Sequence, residues 1–287
     1  MRTRLFFDSD IDMAHPLITL IVAFALMTAL WPLSFKLRDV SIVDILWAPA
    51  FAVVAFVCVL LQPTLGLRHI LVLALVTLWA ARLGIHIYTR WRRIGHEDYR
   101  YAEIRRSRGE RFPYTSLVLI FWGQALLLWI ISWPLQAILD APPSALNALD
   151  LLGLLPMVGG IAIEAMADAS LTRFRAGANN SGTVLDRGIW AWSRHPNYFG
   201  DFSLWWGIYL VALGSGGPWW TALGPVAMSA LLIHYSGKGL MEDTIAQRRP
   251  GYADYMRRTS GFIPGRPSER DNAMPTAGSA TIRRRVR

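Results

Sequence analysis

The chain is 287 residues long, 53% hydrophobic and only 17% charged, against about 25% charged in an ordinary soluble domain. That balance excludes a disordered chain and a soluble globular one, and points to lipid as the solvent. The net charge is +9, from 29 Lys and Arg against 20 Asp and Glu, yet the arginines fall between apolar segments and in the tail, as in a membrane protein, so no nucleic-acid partner is expected.

Residues 1–16 read as an N-terminal segment in which Asp8, Asp10 and Asp12 precede the first apolar run, which argues against a cleaved signal peptide. Apolar windows near 17–33, 42–61, 67–89, 114–138, 149–171, 197–214 and 218–236 predict an all-α, polytopic integral membrane protein with about seven transmembrane helices. The sixth is the weakest, since its apolar part begins at Phe202 and Gly207 and Gly214 interrupt it. Residues 17–263 make one membrane domain, and 264–287, rich in Pro, Ser, Gly and Arg, read as a disordered basic tail near the lipid surface. The 90–113 connection carries eight arginines while 139–148 and 214–218 carry no Lys or Arg, which predicts an N-terminus outside and a C-terminus in the cytoplasm. Trp31, Trp47, Trp91, Trp133, Trp190, Trp192, Trp219 and Trp220 stand near segment ends, as interfacial anchors do.

The lone Cys58 lies in an apolar run and reads as packing. The six histidines are scattered without metal-ligand spacing, and no metal is expected.

Ionisable groups at membrane depth are costly and mark function or pairing. Arg82 and His86 are four apart in the third segment, with Trp79 beside them, and Glu164 and Asp168 are four apart in the fifth. Each pair shares a helix face. Two readings stay open, a structural ion pair from Arg82 to one of the carboxylates or a polar pocket between helices. Asp44 and His234, near segment ends, read as snorkelling or capping groups.

The densest chemistry is the run from Arg173 to Asp201. Arg173, Arg175, Arg187 and Arg194 offer forks to phosphates, and Asn179, Asn180 and Asn197 both donate and accept. Pro196 suits the first position of the sixth helix, leaving the free N–H groups of Asn197 and Tyr198 at its positive end. This suits an anionic nucleotide. Neither a Rossmann glycine fingerprint nor a P-loop occurs, so such a ligand must be held by a helical membrane site.

Four ordered stretches carry a resemblance: L-D-R-G-I-W-A-W-S-R-H-P-N-Y-F-G-D ending at Asp201, E-A-M-A-D-x-x-L-x-x-F-R from Glu164 to Arg175, H-E-D-Y-R-Y from His96 to Tyr101, and R-P-G-Y-A-D-Y-M-R-R-T-S-G-F-I-P from Arg249 to Pro264. Together they resemble the steroid 5-alpha-reductase family, in particular its bacterial membrane branch, over most of residues 40–265. The resemblance implies NADPH bound from the cytosolic side, roughly by residues 149–263, and reduction of a carbon–carbon double bond conjugated to a carbonyl in a lipid-like substrate. Carried over by motif, Glu164, Asp168, Arg175, Arg187, Asn197, Tyr198 and Asp201 fall at cofactor-binding positions, and Asn179, Arg194 and His195 join that set from the same run. Asp201 stands where the steroid enzymes have Glu, and their catalytic Glu and Tyr have no secure match here. For the acid that hydrogen-bonds the carbonyl oxygen, Tyr88, His86 and Tyr99 are the candidates. The R-H-P-x-Y-x-G signature and the late R-x-P-G-Y-x-x-Y also resemble the isoprenylcysteine carboxyl methyltransferases, which use S-adenosylmethionine. A non-enzymatic lipid-binding or scaffold protein is the third possibility.

Overall fold

The computed structural model describes residues 14–177, 180, 182–237, 249 and 251–268. These residues are helical, with no strand among them. In chain order the helices are α1 (Ala14–Leu37), α2 (Ile42–Leu61), α3 (Leu67–Ile94), α4 (Tyr99–Arg108), α5 (Phe112–Ser116), α6 (Gly123–Ile131), α7 (Trp133–Leu139), α8 (Ala148–Ala176), α9 (Pro196–Gly214), α10 (Leu223–Ala230) and α11 (Tyr252–Arg258). A π-helical stretch, Leu117–Trp122, joins α5 to α6, and another, Leu231–Gly237, follows α10.

Five helical stretches are long and apolar enough to cross a membrane: Ala14–Leu37, Ile42–Leu61, Leu67–Ile94, Tyr99–Ile131 and Ala148–Ala176. The 42–61 window coincides with α2, while the windows at 17–33, 67–89 and 149–171 fall short of their helices, because the apolar runs continue into polar flanks that stay helical. α3 runs on past Arg90, Arg92 and Arg93 to Gly95, whose φ of +71° closes the helix. The predicted 114–138 segment is not one helix: the fourth crossing begins earlier, bends at Gly109 (φ +51°) and ends at Ile131, after which Ser132 starts α7. α9 starts at Pro196 as expected, but its first turns carry Asn197, Tyr198 and Asp201 and lower its hydropathy. Gly207 does not interrupt it, for there α9 passes within backbone contact of α8.

α8 and α9 form the most extensive helix pair. Their crossing is lined by glycines: a Cβ on Gly207 would lie 2.5 Å from Gly153 O, and one on Gly200 would lie 2.6 Å from Gly160 O and 2.7 Å from Glu164 N. Small residues let two backbones approach where lipid offers no hydrophobic drive to association. A fully buried aromatic layer of Phe51, Trp79 and Trp205 crosses the middle of the bundle, with ring centroids 4.6 Å apart for Phe51–Trp205, 5.8 Å for Phe51–Trp79 and 5.7 Å for Trp79–Trp205.

The two ends of the bundle differ in charge. At one end lie Lys36, Arg38, the arginines of 90–111, Arg173 and Arg175. At the other, among the described residues, the one arginine is Arg68, and it is buried against Asp150. Its Nε and one terminal nitrogen each donate to an Asp150 oxygen at 2.7 Å, and the other terminal nitrogen donates to Ser144 Oγ at 2.6 Å. Asp150 also accepts from Asn147 N, and Asn147 caps α8 and donates to Gly214 O at 2.7 Å. The start of α3, the start of α8 and the end of α9 are thereby tied together.

Candidate functional site

The two i, i+4 pairs meet. Arg82 on α3 donates to Asp168 Oδ2 on α8 at 2.7 Å and pairs through its other terminal nitrogen with Glu164. Trp79 Nε1 donates to the second oxygen of Glu164 at 3.1 Å. Asp168 Oδ1 accepts from Asn197 Nδ2 on α9 at 3.3 Å, and His86 Nε2 stands 3.8 Å from it. Both alternatives left open by the sequence therefore describe one place, in which an Arg82 ion pair forms the wall of a polar site between three helices.

That site is not internally satisfied. Glu164, Asp168 and Asp201 are all buried, and three carboxylates face one guanidinium and a half-buried imidazole. Arg82 Nε is buried without a hydrogen-bond partner, and the Asp201 carboxylate has the Trp205 indole as its side-chain hydrogen-bond partner. Asp201 and Trp205 are one turn apart on α9, so that bond lies within one helix and leaves the acidic cluster short of donors from its neighbours. Buried charges are ordinarily matched by partners of opposite sign, and three carboxylates on one guanidinium call for an explanation.

Toward the basic end the arginines gather. A hollow of about 340 Å³ is lined by Phe174, Arg175, Ala176, Gly177, Asn180, Gly182 and Arg249. Arg90, Arg93 and Arg249 stand close enough to Arg175 for their charges to act on it, and Arg90 and Arg175 likewise act on His86. No carboxylate among the described residues pairs with Arg90, Arg93 or Arg175. Arg249 donates to Thr183 O at 2.7 Å. Like charges left together without acidic partners form a site for an anion.

Of the expected cofactor residues, Glu164, Asp168, Asn197 and Asp201 converge, Tyr198 lies in the same turn of α9, and Arg175 lines the hollow. Asn179 lies outside the described residues. Three others are placed elsewhere. Arg187 is exposed at the start of a 3-10 turn. Arg194 donates to Met256 O at 2.8 Å and Thr259 O at 2.9 Å, and His195 Nδ1 stands 2.9 Å from Gly261 O. These two side chains fasten the 251–265 segment to the turn before α9, helped by Ser193 Oγ donating to Phe262 O at 2.7 Å. The R-H-P motif thus serves partly to hold the chain's later strap, and His195 stacks on Tyr198 with ring centroids 5.5 Å apart.

Of the three acid candidates, His86 alone reaches the site. Tyr88 is exposed beside Trp91, on a different face of α3, and Tyr99 is exposed at the start of α4. The placement of Tyr88 follows from helix geometry, since positions 79, 82 and 86 share a stripe that 88 does not join.

A pair that the sequence reading missed stands instead on α2 and α4. Tyr101 Oη donates to Asp44 Oδ1 at 2.6 Å, and Gln124 Nε2 donates to Tyr101 Oη at 3.2 Å and to Asp44 at 3.4 Å. Arg100 donates to the other Asp44 oxygen at 3.1 Å. Asp44 is therefore neither a snorkelling group nor a cap. The H-E-D-Y-R-Y motif explains the placement: Glu97 accepts from Val40 N at 2.9 Å, Asp98 N donates to Ser41 Oγ at 2.7 Å, and Asp98 caps α4. Burial raises the pKa of Asp98, but hydrogen bonds from the Arg100 side chain and backbone outweigh it and hold the carboxyl below the ordinary aspartate range. Gln124 follows the Leu117–Trp122 π-helical stretch, a device often found beside functional sites. Asp44 shares α2 with Phe51, and Arg100 acts electrostatically on Tyr198, so the two polar clusters border the same region.

An uncharacterized protein of Schizosaccharomyces pombe is 26% identical over 272 residues, covering 85% of this chain and 78% of the relative. No solved structure matches the chain significantly. The family described as "Protein of unknown function (DUF1295)" matches residues 30–259, which include both polar clusters, and the chain belongs to that DUF1295 family.

Proposed function

We propose that this protein is a membrane-embedded, NADPH-dependent reductase of the steroid 5-alpha-reductase type, acting on an activated carbon–carbon double bond in a lipid-like substrate. The observation that carries the reading is the arginine-lined hollow set beside the buried polar cluster of Glu164, Asp168, Asn197 and Asp201. The donor set fits the dinucleotide: Arg175, Arg249, Arg90 and Arg93 suit its phosphates, while Glu164, Asp168, Asn197 and Asp201 suit the ribose hydroxyls and the carboxamide. Bound there, NADPH would supply the hydride.

The chain's own residues supply the rest. Tyr101 is the candidate acid in this reading: its one O–H, given to Asp44 here, would turn to a substrate carbonyl and stabilise the charge that develops on its oxygen. The aromatic layer closes the site on its far side and keeps water out. In this reading α9, and α10 with its π-helical continuation, complete seven crossings, and the basic end faces the cytoplasm, with the N-terminus outside. A membrane methyltransferase is the second reading, favoured by one observation: three carboxylates against one guanidinium would suit the sulfonium cation of S-adenosylmethionine.

The test is a thermal-shift titration of the detergent-purified protein with NADPH, NADH and S-adenosylmethionine. A ligand of the native state at about a hundred times its Kd stabilises by about 2.7 kcal/mol. NADPH is expected to shift the melt, the Asn197→Ala variant is expected to lose most of that shift, and Tyr101→Phe is expected to keep the shift while losing turnover by about 10² or more. A shift with S-adenosylmethionine alone would transfer the protein to the second reading, and no shift with any of the three would refute both.

A further inference from the structure

The basic end holds a second feature that the proposed reductase does not use. Four cations, Lys36 and Arg38 at the end of α1, Arg108 at the end of α4 and Arg111 just beyond it, are exposed, and their side chains make no ion pair or hydrogen bond among the described residues. They belong to one junction. Trp31 Nε1 donates to Pro113 O at 3.3 Å, which seats α1 against α5. Glu97 bridges Val40 N, beyond α1, to Arg105 on α4, with Arg105 nitrogens at 2.8 and 2.7 Å, and the Arg105 guanidinium lies 4.2 Å over the Phe112 ring.

The carboxylates of this junction are turned inward. Asp39 accepts from Trp91 Nε1 at 2.6 Å and from Ser41 N at 2.8 Å, and Glu97 is consumed by the bridge. Glu110 is the one exposed carboxylate between Arg108 and Arg111, so four free cations face one acid. Arg38 also occupies a left-handed conformation, φ +54°, at a helix end where glycine is the ordinary choice. An arginine kept at that backbone cost places its charge at the junction. Leu33 and Leu37 are exposed beside these cations, and Tyr114 is 76% exposed, which adds apolar and interfacial contacts next to the charges.

We propose that this junction binds the phosphate of anionic phospholipid headgroups in the leaflet it faces. Free guanidinium forks match phosphate oxygens, and exposed leucines and a tyrosine at the end of a crossing match the acyl–headgroup boundary. The site is separate from the arginine-lined hollow and does not depend on the reductase reading.

The test uses the detergent-purified full chain in mixed micelles carrying phosphatidylglycerol or phosphatidylcholine, with bound lipid counted by native mass spectrometry. The wild type is expected to retain phosphatidylglycerol preferentially, with the preference falling as salt rises from about 0.05 to about 0.5 M. Arg38→Gly relieves the left-handed strain, so its melting temperature in phosphatidylcholine should hold or rise while its phosphatidylglycerol affinity falls about fivefold. Adding Arg108→Gln and Arg111→Gln should bring the loss to about a hundredfold. Arg257→Gln, on α11 away from the junction, should leave the preference unchanged. Equal retention of the two lipids by the wild type, as a merely solvated basic face would give, overturns the proposal, and so does an Arg38→Gly variant with undiminished phosphatidylglycerol affinity.

Discussion

Gly159 and Gly160 are neighbours on α8, and alanine at each is expected to have opposite effects. A Cβ on Gly159 meets nothing within 4 Å, whereas one on Gly160 runs into Gly200 O and comes within 2.9 Å of Leu204 N. Both obstacles are backbone atoms of α9, which cannot rotate aside as a side chain can. Restoring ordinary contact at 3.4 Å between a Gly160 Cβ and Gly200 O needs about 1.1 Å of helix separation. In a packed core such crowding costs about 1–3 kcal/mol, and rigid backbone on both sides places Gly160→Ala at the upper end. Gly159→Ala instead gains the helix preference of Ala over Gly, about 0.5–1 kcal/mol. Equilibrium unfolding in mixed micelles measures the difference, which should be about 3 kcal/mol. Because Glu164 is one turn beyond Gly160, the destabilised variant should also bind NADPH more weakly. Equal stability of the two variants, or a Gly159→Ala variant less stable than wild type, would show that α8 and α9 do not cross as described.

Two further outcomes follow from the ends of the bundle. Removing one member of the buried Arg68–Asp150 pair, as in Asp150→Ala, should destabilise by about 3–5 kcal/mol, because it strands a guanidinium out of water; replacing both by apolar residues should recover most of the loss, and a double variant no better than the single one would refute the charge argument. The Asp98 carboxyl titrates below its unfolded value, so it adds stability that is present above about pH 4 and is lost as pH falls through the depressed pKa. Melting temperature between pH 3 and 6 should therefore fall less steeply in Asp98→Asn than in wild type, and parallel curves would count against the Arg100 contacts as the cause.

The crossings and half of the site were legible because each is local. Arg82 with His86, and Glu164 with Asp168, announce a shared face by their spacing alone. What no spacing reveals is which distant helix receives a given face. Arg68 and Asp150 are 82 positions apart, and Tyr101 is 57 from Asp44, so neither pair carries a local signature. Tyr88 and Tyr99 were attractive because tyrosine has the right chemistry, yet Tyr101, two positions beyond Tyr99, is the one that α4 turns inward. The basic run before α9 shows the limit of reading by type: Arg194 is a good phosphate ligand in kind, and its guanidinium donates to backbone carbonyls of the 256–259 segment.

The layer of Phe51, Trp79 and Trp205 has a consequence for the cell as well as for the fold. It lies between the acidic site at one level of the bundle and the Arg68–Asp150 pair at the other, and all three rings are buried. Two ionisable clusters stacked in one protein are half of a proton wire, and a file of water between them would short-circuit the transmembrane potential. Three interlocked, fully buried aromatic rings stand across the line between the two clusters, so a bundle of this kind can hold ionisable groups at two depths with an apolar plug between them.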